Sequence, residues 1–250
     1  MTNTKKPHKE HSNIPLAKMA PQREPNDFRS SFPWRVFRIM SEFVDGWQFL
    51  ADFDKTITIF GSARTPEDDK WYLEARKLGN ILAQNKFSVV TGGGPGIMEA
   101  SNRGAFEKDG DSIGIDIKLP FEQRENAYLT KSQGFYYFFV RKVMLAYSAR
   151  AYVFFPGGYG TLDELFEMLT LLQTKKIERN IPVVLVGKDF WTPLVKWIEE
   201  TVISKYQTAS PEDVHIFSVV DTAEEAFNII KKAPARHEFA EYVTNHKSHT

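Results

Sequence analysis

Hydrophobic positions fall into two rhythms along this chain. Between Phe32 and Phe53 they recur at alternating intervals of four and three residues, through Val36, Met40, Phe43, Trp47 and Leu50. That spacing lines one face of an amphipathic helix, with Gly46 as an interruption. From Thr56 onward, short apolar runs alternate with longer helix-periodic stretches. The runs Thr56–Phe60, Phe87–Thr91, Ser112–Ile117, Ala151–Phe155, Ile181–Gly187 and Ile216–Val220 predict strands, with a further short one near Leu129–Gln133. Helices are predicted over Glu67–Asn85, Pro95–Glu107, Phe138–Ser148, Thr161–Thr174 and Trp191–Lys205. A last helix follows Val220, opened by a capping box of Asp221 and Glu224. Pro95 suits a first helical position.

Strands that alternate with helices predict an α/β fold, a parallel sheet covered by helices on both faces. The near-continuous apolar character of the strands agrees. In such sheets a ligand sits beyond the carboxyl ends of the strands, near the point where strand order reverses. Around this core, residues 1–30 are polar, carry proline and lack periodicity, and are expected to be a disordered tail. Residues 31–54 form the N-terminal amphipathic helix, which either packs on the domain or faces a partner subunit. Residues 55–232 make one domain, and 233–250 a polar C-terminal tail.

Composition narrows the chemistry. Among 250 residues, 32 Lys and Arg balance 32 Asp and Glu, so no overall field draws the chain to nucleic acid or an anionic membrane. The absence of cysteine removes disulfides, cysteine zinc sites and thiol nucleophiles. Five of the six histidines, His8, His11, His237, His246 and His249, fall in the polar ends, leaving only His215 in the domain. Neither a histidine metal site nor histidine acid–base catalysis is expected. No run approaches the ~20 apolar residues of a membrane span, and Met1–Lys6 lacks the apolar core of a signal peptide. A cytoplasmic protein without membrane contact is expected.

Two glycine-rich turns carry the candidate chemistry. One, Pro156-Gly157-Gly158-Tyr159-Gly160-Thr161, joins an apolar run to a helix. Such a turn offers free backbone N–H groups to an anion, and the helix dipole adds roughly half a positive charge. The other, Gly92-Gly93-Gly94-Pro95-Gly96, follows Thr91 and makes Gly93, Gly94 and Gly96 candidates for close approach to a ligand. It has neither the dinucleotide G-x-G-x-x-G spacing nor the Lys-Ser/Thr of a Walker A loop. A third turn, Gly61-Ser62-Ala63-Arg64, also follows a strand, so all three lie on one edge, with Arg64 a weaker anion candidate. Two readings of Thr161-Leu162-Asp163-Glu164 stay open. Thr161 and Glu164 can form a capping box with no chemistry. Alternatively Glu164 faces the sugar of a phosphorylated ligand, kept ionised by the helix dipole, and activates water or stabilises positive charge. Arg141 and Lys142, on an otherwise apolar helix, are either a solvated strip or an anion clamp.

Taken together, Gly92-Gly93-Gly94-Pro95-Gly96-Ile97-Met98-Glu99, the Arg141-Lys142 pair and Pro156-Gly157-Gly158-Tyr159-Gly160-Thr161-Leu162-Asp163-Glu164 resemble the LOG (Lonely Guy) family, over about residues 55–230. The resemblance implies a Rossmann-like, doubly wound fold. It implies a phosphoribohydrolase that cleaves a purine or cytokinin nucleoside 5′-monophosphate to free base and ribose 5-phosphate, without cofactor or metal, as a homodimer or larger assembly. It makes Arg141 and Glu164 the catalytic pair. Gly157, Gly158, Gly160 and Thr161 would cradle the phosphate, and Ser62, Met98 and Lys142 would line the pocket. Members have also been labelled lysine decarboxylases, but the chain shows no pyridoxal phosphate signature. The loop Leu119–Asn126 is longer than in the short plant members, which bears on base choice; within it Glu122, Arg124 and Glu125 read as site residues or surface charge. A non-catalytic nucleotide sensor or carrier on the same scaffold is the alternative.

Overall fold

A computed structural model describes residues 28, 31–118, 125–147, 149–177 and 180–234. Nearly all of both polar tails lies outside these, as do Glu122 and Arg124. Seven strands form one parallel sheet: β1 (Thr56–Phe60), β2 (Ser88–Thr91), β3 (Ser112–Ile117), β4 (Lys131–Phe135), β5 (Ala149–Phe154), β6 (Val183–Val186) and β7 (Phe217–Val220). Their order is β4-β3-β2-β1-β5-β6-β7. The chain winds outward from β1 to β4, returns to lay β5 beside β1, and winds out the other way. Strand order therefore reverses between β1 and β5, where Ile57 pairs with Ala151 and Phe60 with Phe154.

Side-chain alternation along the central strands divides the core. Ile57, Ile59, Ala151 and Val153 point to one face, under α2 (Lys70–Gln84), α3 (Ile97–Phe106) and α7 (Ala223–Ile230). Phe60, Tyr152 and Phe154 point to the other, under α4 (Phe138–Tyr147), α5 (Tyr159–Gln173) and α6 (Lys188–Trp197). With β1 buried along its whole length and β5 nearly so, the strands read as continuous apolar runs. The doubly wound, Rossmann-like α/β fold is the observed one.

The amphipathic segment is α1 (Phe32–Leu50), capped by Ser31, whose hydroxyl accepts from Trp34 N. Gly46 lets it approach α4, since a Cβ there would overlap Met144 Sδ. Glu42 accepts hydrogen bonds from the backbone N–H groups of Tyr136 and Tyr137, ahead of α4. Val36 and Met40, placed by their spacing on the buried stripe, are exposed. Contact with the domain begins at Arg38, which lies over the Tyr136 ring, and Ile39, and runs through Phe43, Gly46 and Trp47 to Leu50.

Several boundaries differ from the sequence expectation. Strand β4 starts two residues late, because its polar sequence carries little pattern and pairing with β3, Ile113 to Lys131 through Ile117 to Phe135, sets its register. Helix α3 begins at Ile97 rather than Pro95, with Gly96 at φ +69° as its cap. The stretch predicted as one helix over Trp191–Lys205 begins at Lys188 and passes from α6, which contains Pro193, into a π-helix at Ile198–Lys205. A short 3-10 helix, Pro211–Ile216, precedes β7 and was not expected. The cap of α7 is Thr222, whose Oγ1 accepts from Glu225 N. Asp221 instead accepts from Lys188 N.

Candidate active site

The turns after β1, β2 and β5 meet over the reversal point. Ser62 ties them: its N–H donates to Pro156 O and its carbonyl accepts from Ile97 N, both at 3.0 Å. The Ser62 hydroxyl accepts from Arg64 N, so its side chain serves its own turn. Arg64 itself is exposed.

The turn after β2 is buried and braced. Gly93 has φ +72° and Gly96 φ +69°, left-handed values that favour glycine. A Cβ on Gly96 would overlap the backbone of Ser62 and Ala63. Asn126 binds the turn from outside. Its amide donates to Gly93 O and Gly94 O, each at 3.1 Å, and to Asn102 Oδ1 at 3.0 Å. Asn102 also accepts from Thr91 Oγ1 and donates to Ser112 Oγ. The buried polar groups are thereby satisfied. Above this floor, Gly92 leaves room for the Arg141 guanidinium and for Met98 Sδ.

The turn after β5 is built otherwise. Helix α5 starts at Tyr159, two residues before the predicted Thr161, and its cap is Gly158 with no side-chain cap bond. The opening N–H groups of a helix have no intrahelical acceptor, and here no side chain of the described residues caps them. A Cβ on Gly158 or on Gly160 would meet nothing within 4 Å among the described residues. Thr161 is buried inside the helix, its Oγ1 against Gly157. The capping-box reading of Thr161 and Glu164 therefore fails: neither residue stands at the cap.

Glu164 points inward instead. It is only 5% exposed, and its Oε2 has no hydrogen-bond partner among the described residues. Burial pushes its carboxyl up to about 7, opposed by Lys142 and Arg141 and reinforced by Glu167. Burial thus outweighs the helix dipole, which had been expected to keep this group ionised. Arg141, on α4, donates from Nε to Ile115 O at 2.8 Å. Its guanidinium is lowered from its ordinary value by burial, while Glu164 and Asp116 hold it up. Lys142 turns toward α5, with Nζ 2.9 Å from Asp163 and 2.8 Å from Glu167. It borders a groove of about 710 Å³ along α5, with Tyr159, Leu162 and Phe166.

Two residues here escaped the sequence reading. Asn126 carries no local signal, lying at the end of the loop Leu119–Asn126. Asp116 does carry one, an acid inside the apolar run Ser112–Ile117. His215 is exposed just before β7, and no group of three or more His, Cys, Asp or Glu suited to a metal occurs among the described residues.

The strand-order reversal of this doubly wound sheet, the place where such folds bind ligands, thus gathers a helix start without a side-chain cap, an arginine and a buried carboxyl. A family model described as "possible lysine decarboxylase" matches residues 98–230, more than half of the chain. The chain belongs to that family, the LOG family. It is 28% identical over 158 residues to a cytokinin riboside 5′-monophosphate phosphoribohydrolase of Rhodococcoides fascians, covering 62% of this chain and 79% of that one. It is 27% identical over 177 residues to the pyrimidine/purine nucleotide 5′-monophosphate nucleosidase of Escherichia coli K12, covering 65% of this chain but 37% of that protein. The molybdenum cofactor carrier protein of Chlamydomonas reinhardtii has the same fold, with TM-score 0.55 at 22% identity over 72% of this chain and 98% of that one.

Proposed function

We propose that this protein hydrolyses the N-glycosidic bond of a purine or cytokinin nucleoside 5′-monophosphate, releasing free base and ribose 5-phosphate. The observation that carries the reading is Glu164, buried near the start of the uncapped helix that opens at Gly158, its Oε2 without a hydrogen-bond partner among the described residues. The phosphate lies on the open N–H groups at Gly158, Gly160 and Thr161, where the dipole favours negative charge. Arg141 and Glu164 flank the ribose. As C1′ becomes oxocarbenium-like, carboxylate charge near it stabilises the transition state. A carboxyl poised at about 7 also suits a base that takes a proton from the attacking water. The names of the phosphoribohydrolase and nucleosidase relatives support this reading.

The family description suggests lysine decarboxylation, but Lys142 is poorly suited to imine formation. Burial works to lower its ammonium, yet Glu167 and Asp163 outweigh that and hold it above its ordinary value. An imine-forming amine needs the reverse. No helix among the described residues is long and apolar enough to cross a membrane, which suits the proposed cytoplasmic setting. Exposed Phe138, Phe139, Tyr159 and Phe166 on α4 and α5 support a homodimer or larger assembly.

Incubation of the purified protein with AMP and a panel of other nucleoside monophosphates, followed by chromatography for free base, tests the activity. Base release is expected, and Glu164→Gln is expected to lower kcat about 1,000-fold while nucleotide binding persists. Binding without turnover in the native protein would replace this reading with the carrier one. Monophosphates left intact and unbound would remove both.

A further inference from the structure

Beyond Arg141 and Glu164, the crevice holds a third ionisable group that the mechanism has not used. Asp116 lies near the carboxyl end of β3, one residue after the carbonyl that anchors Arg141. Two glycines make room for its side chain. A Cβ on Gly93 would overlap Oδ1, and one on Gly114 would stand 3.1 Å from Oδ2. The Gly93 N–H is given to Thr91 Oγ1. Asp116 Oδ2 is buried and receives no hydrogen bond from any N–H or O–H of the described residues. A buried carboxyl oxygen without a donor is costly unless the group carries its own proton. The groups facing it supply the reason it does. Glu125, in the segment before β4, stands within reach to share a proton with it. Ser132 Oγ donates to Glu125 Oε2 at 3.3 Å and steadies that carboxyl. Arg141, on α4, is the facing cation. Burial first and Glu125 second raise Asp116 far above the usual carboxylate range, and Arg141 opposes them only in part.

Position gives this proton a use. The strand ends run β5, β1, β2, β3 along the edge, with neighbouring strands about 4.8 Å apart. The proposed phosphate seat follows β5. Arg141, proposed to hold the ribose, reaches across Gly92 to β3. A nucleotide extended along this edge brings its base onto the Gly92–Gly94 turn, beside Asp116.

We propose that Asp116 is the proton donor to the departing base, a role that rests on the hydrolase reading above. The C1′–N9 bond breaks and both its electrons go to the base, whose N7 takes the proton from Asp116. Water adds its oxygen to C1′ and gives a proton to Glu164. Solvent returns that proton to Asp116, so one water is consumed and both carboxyls are restored. An acid that matches the base in this way contributes about 100- to 10,000-fold.

The test uses the full chain and two substrates, AMP and N7-methylguanosine 5′-monophosphate, whose cationic base leaves without protonation. Asp116→Asn is expected to lower kcat on AMP about 100-fold or more with KM little changed. It should spare the methylated substrate and remove the high-pH fall of kcat/KM. Glu125→Gln, at an exposed position, should stay active and move that fall to lower pH, because the like charge beside Asp116 is gone. Equal loss on both substrates, a loss below about tenfold on AMP, or an unchanged high-pH fall in Asp116→Asn overturns the proposal while leaving the hydrolase standing. If the methylated nucleotide is not cleaved by the native protein, the pH profiles of the two variants on AMP decide. A native protein inactive on every monophosphate overturns both.

Discussion

The turns after β2 and β5 are both glycine-rich and both edge the same crevice, yet they use glycine for opposite reasons. Around Gly92–Gly96 the protein fills the space itself. Asp116, Arg141, Met98 and the Ser62 backbone occupy the places where side chains would go. Two residues there have positive φ, and Asn126 fastens the carbonyls. Around Gly158 and Gly160 no atom of the described residues fills that space, and none of their side chains caps the helix. One turn is a floor that the fold requires to be glycine. The other is an opening that the fold would allow to be something else. On the hydrolase reading, glycine in the second place leaves room for the phosphate that approaches from outside.

Substitutions at the two turns should separate these roles. Gly96→Ala forces a side chain into a left-handed position against backbone, and should cost about 3 to 5 kcal/mol. A urea midpoint equal to that of the native protein would show the floor to be soft. The buried acid on the helix after the open turn gives the next effect. The carboxyl of Glu164 rises from 4.5 to about 7 on folding, so the folded state holds this proton more tightly than the unfolded one. Stability is fully present below 4.5, falls as pH rises through the window to 7, and then levels. Glu164→Gln should therefore stabilise the protein above pH 7 by about 3 kcal/mol while changing little at pH 4. Equal thermal shifts at both pH values would contradict that assignment. Gly158→Ala should give the smallest change, a KM for AMP about tenfold higher, or ~1.4 kcal/mol, with stability altered by less than about 1 kcal/mol. A large loss of stability there, or an unchanged KM, would erase the contrast between the two turns.

The same contrast explains how much could be read from the chain. The central strands were legible because burial on both faces makes them continuous apolar words, and the glycine turns followed as punctuation. Helix starts were less so. Thr161-Leu162-Asp163-Glu164 spells a capping box, but Gly158 opens the helix earlier, because the Thr161 side chain is needed inside against Gly157. Pattern alone could not choose between these. Strand β4 was misplaced since only Phe135 of its five residues is buried, and its partner strand fixes it. Arg141 and Glu164 stood out through their neighbours in sequence, whereas Asp116 and Asn126 matter through neighbours in space. Asp116 meets Gly93 and Arg141, each more than twenty positions away, and no local spacing announces that.

The backbone of Ser62 is bound to Pro156 through its N–H and to Ile97 through its C=O. Those two links stitch the lips of the cleft together at its base. Parting the lips would rupture main-chain bonds worth about 1 kcal/mol each. On the hydrolase reading, choice among visiting molecules would then rest on the dimensions of a fixed gap, which would refuse a bulkier guest rather than embrace it.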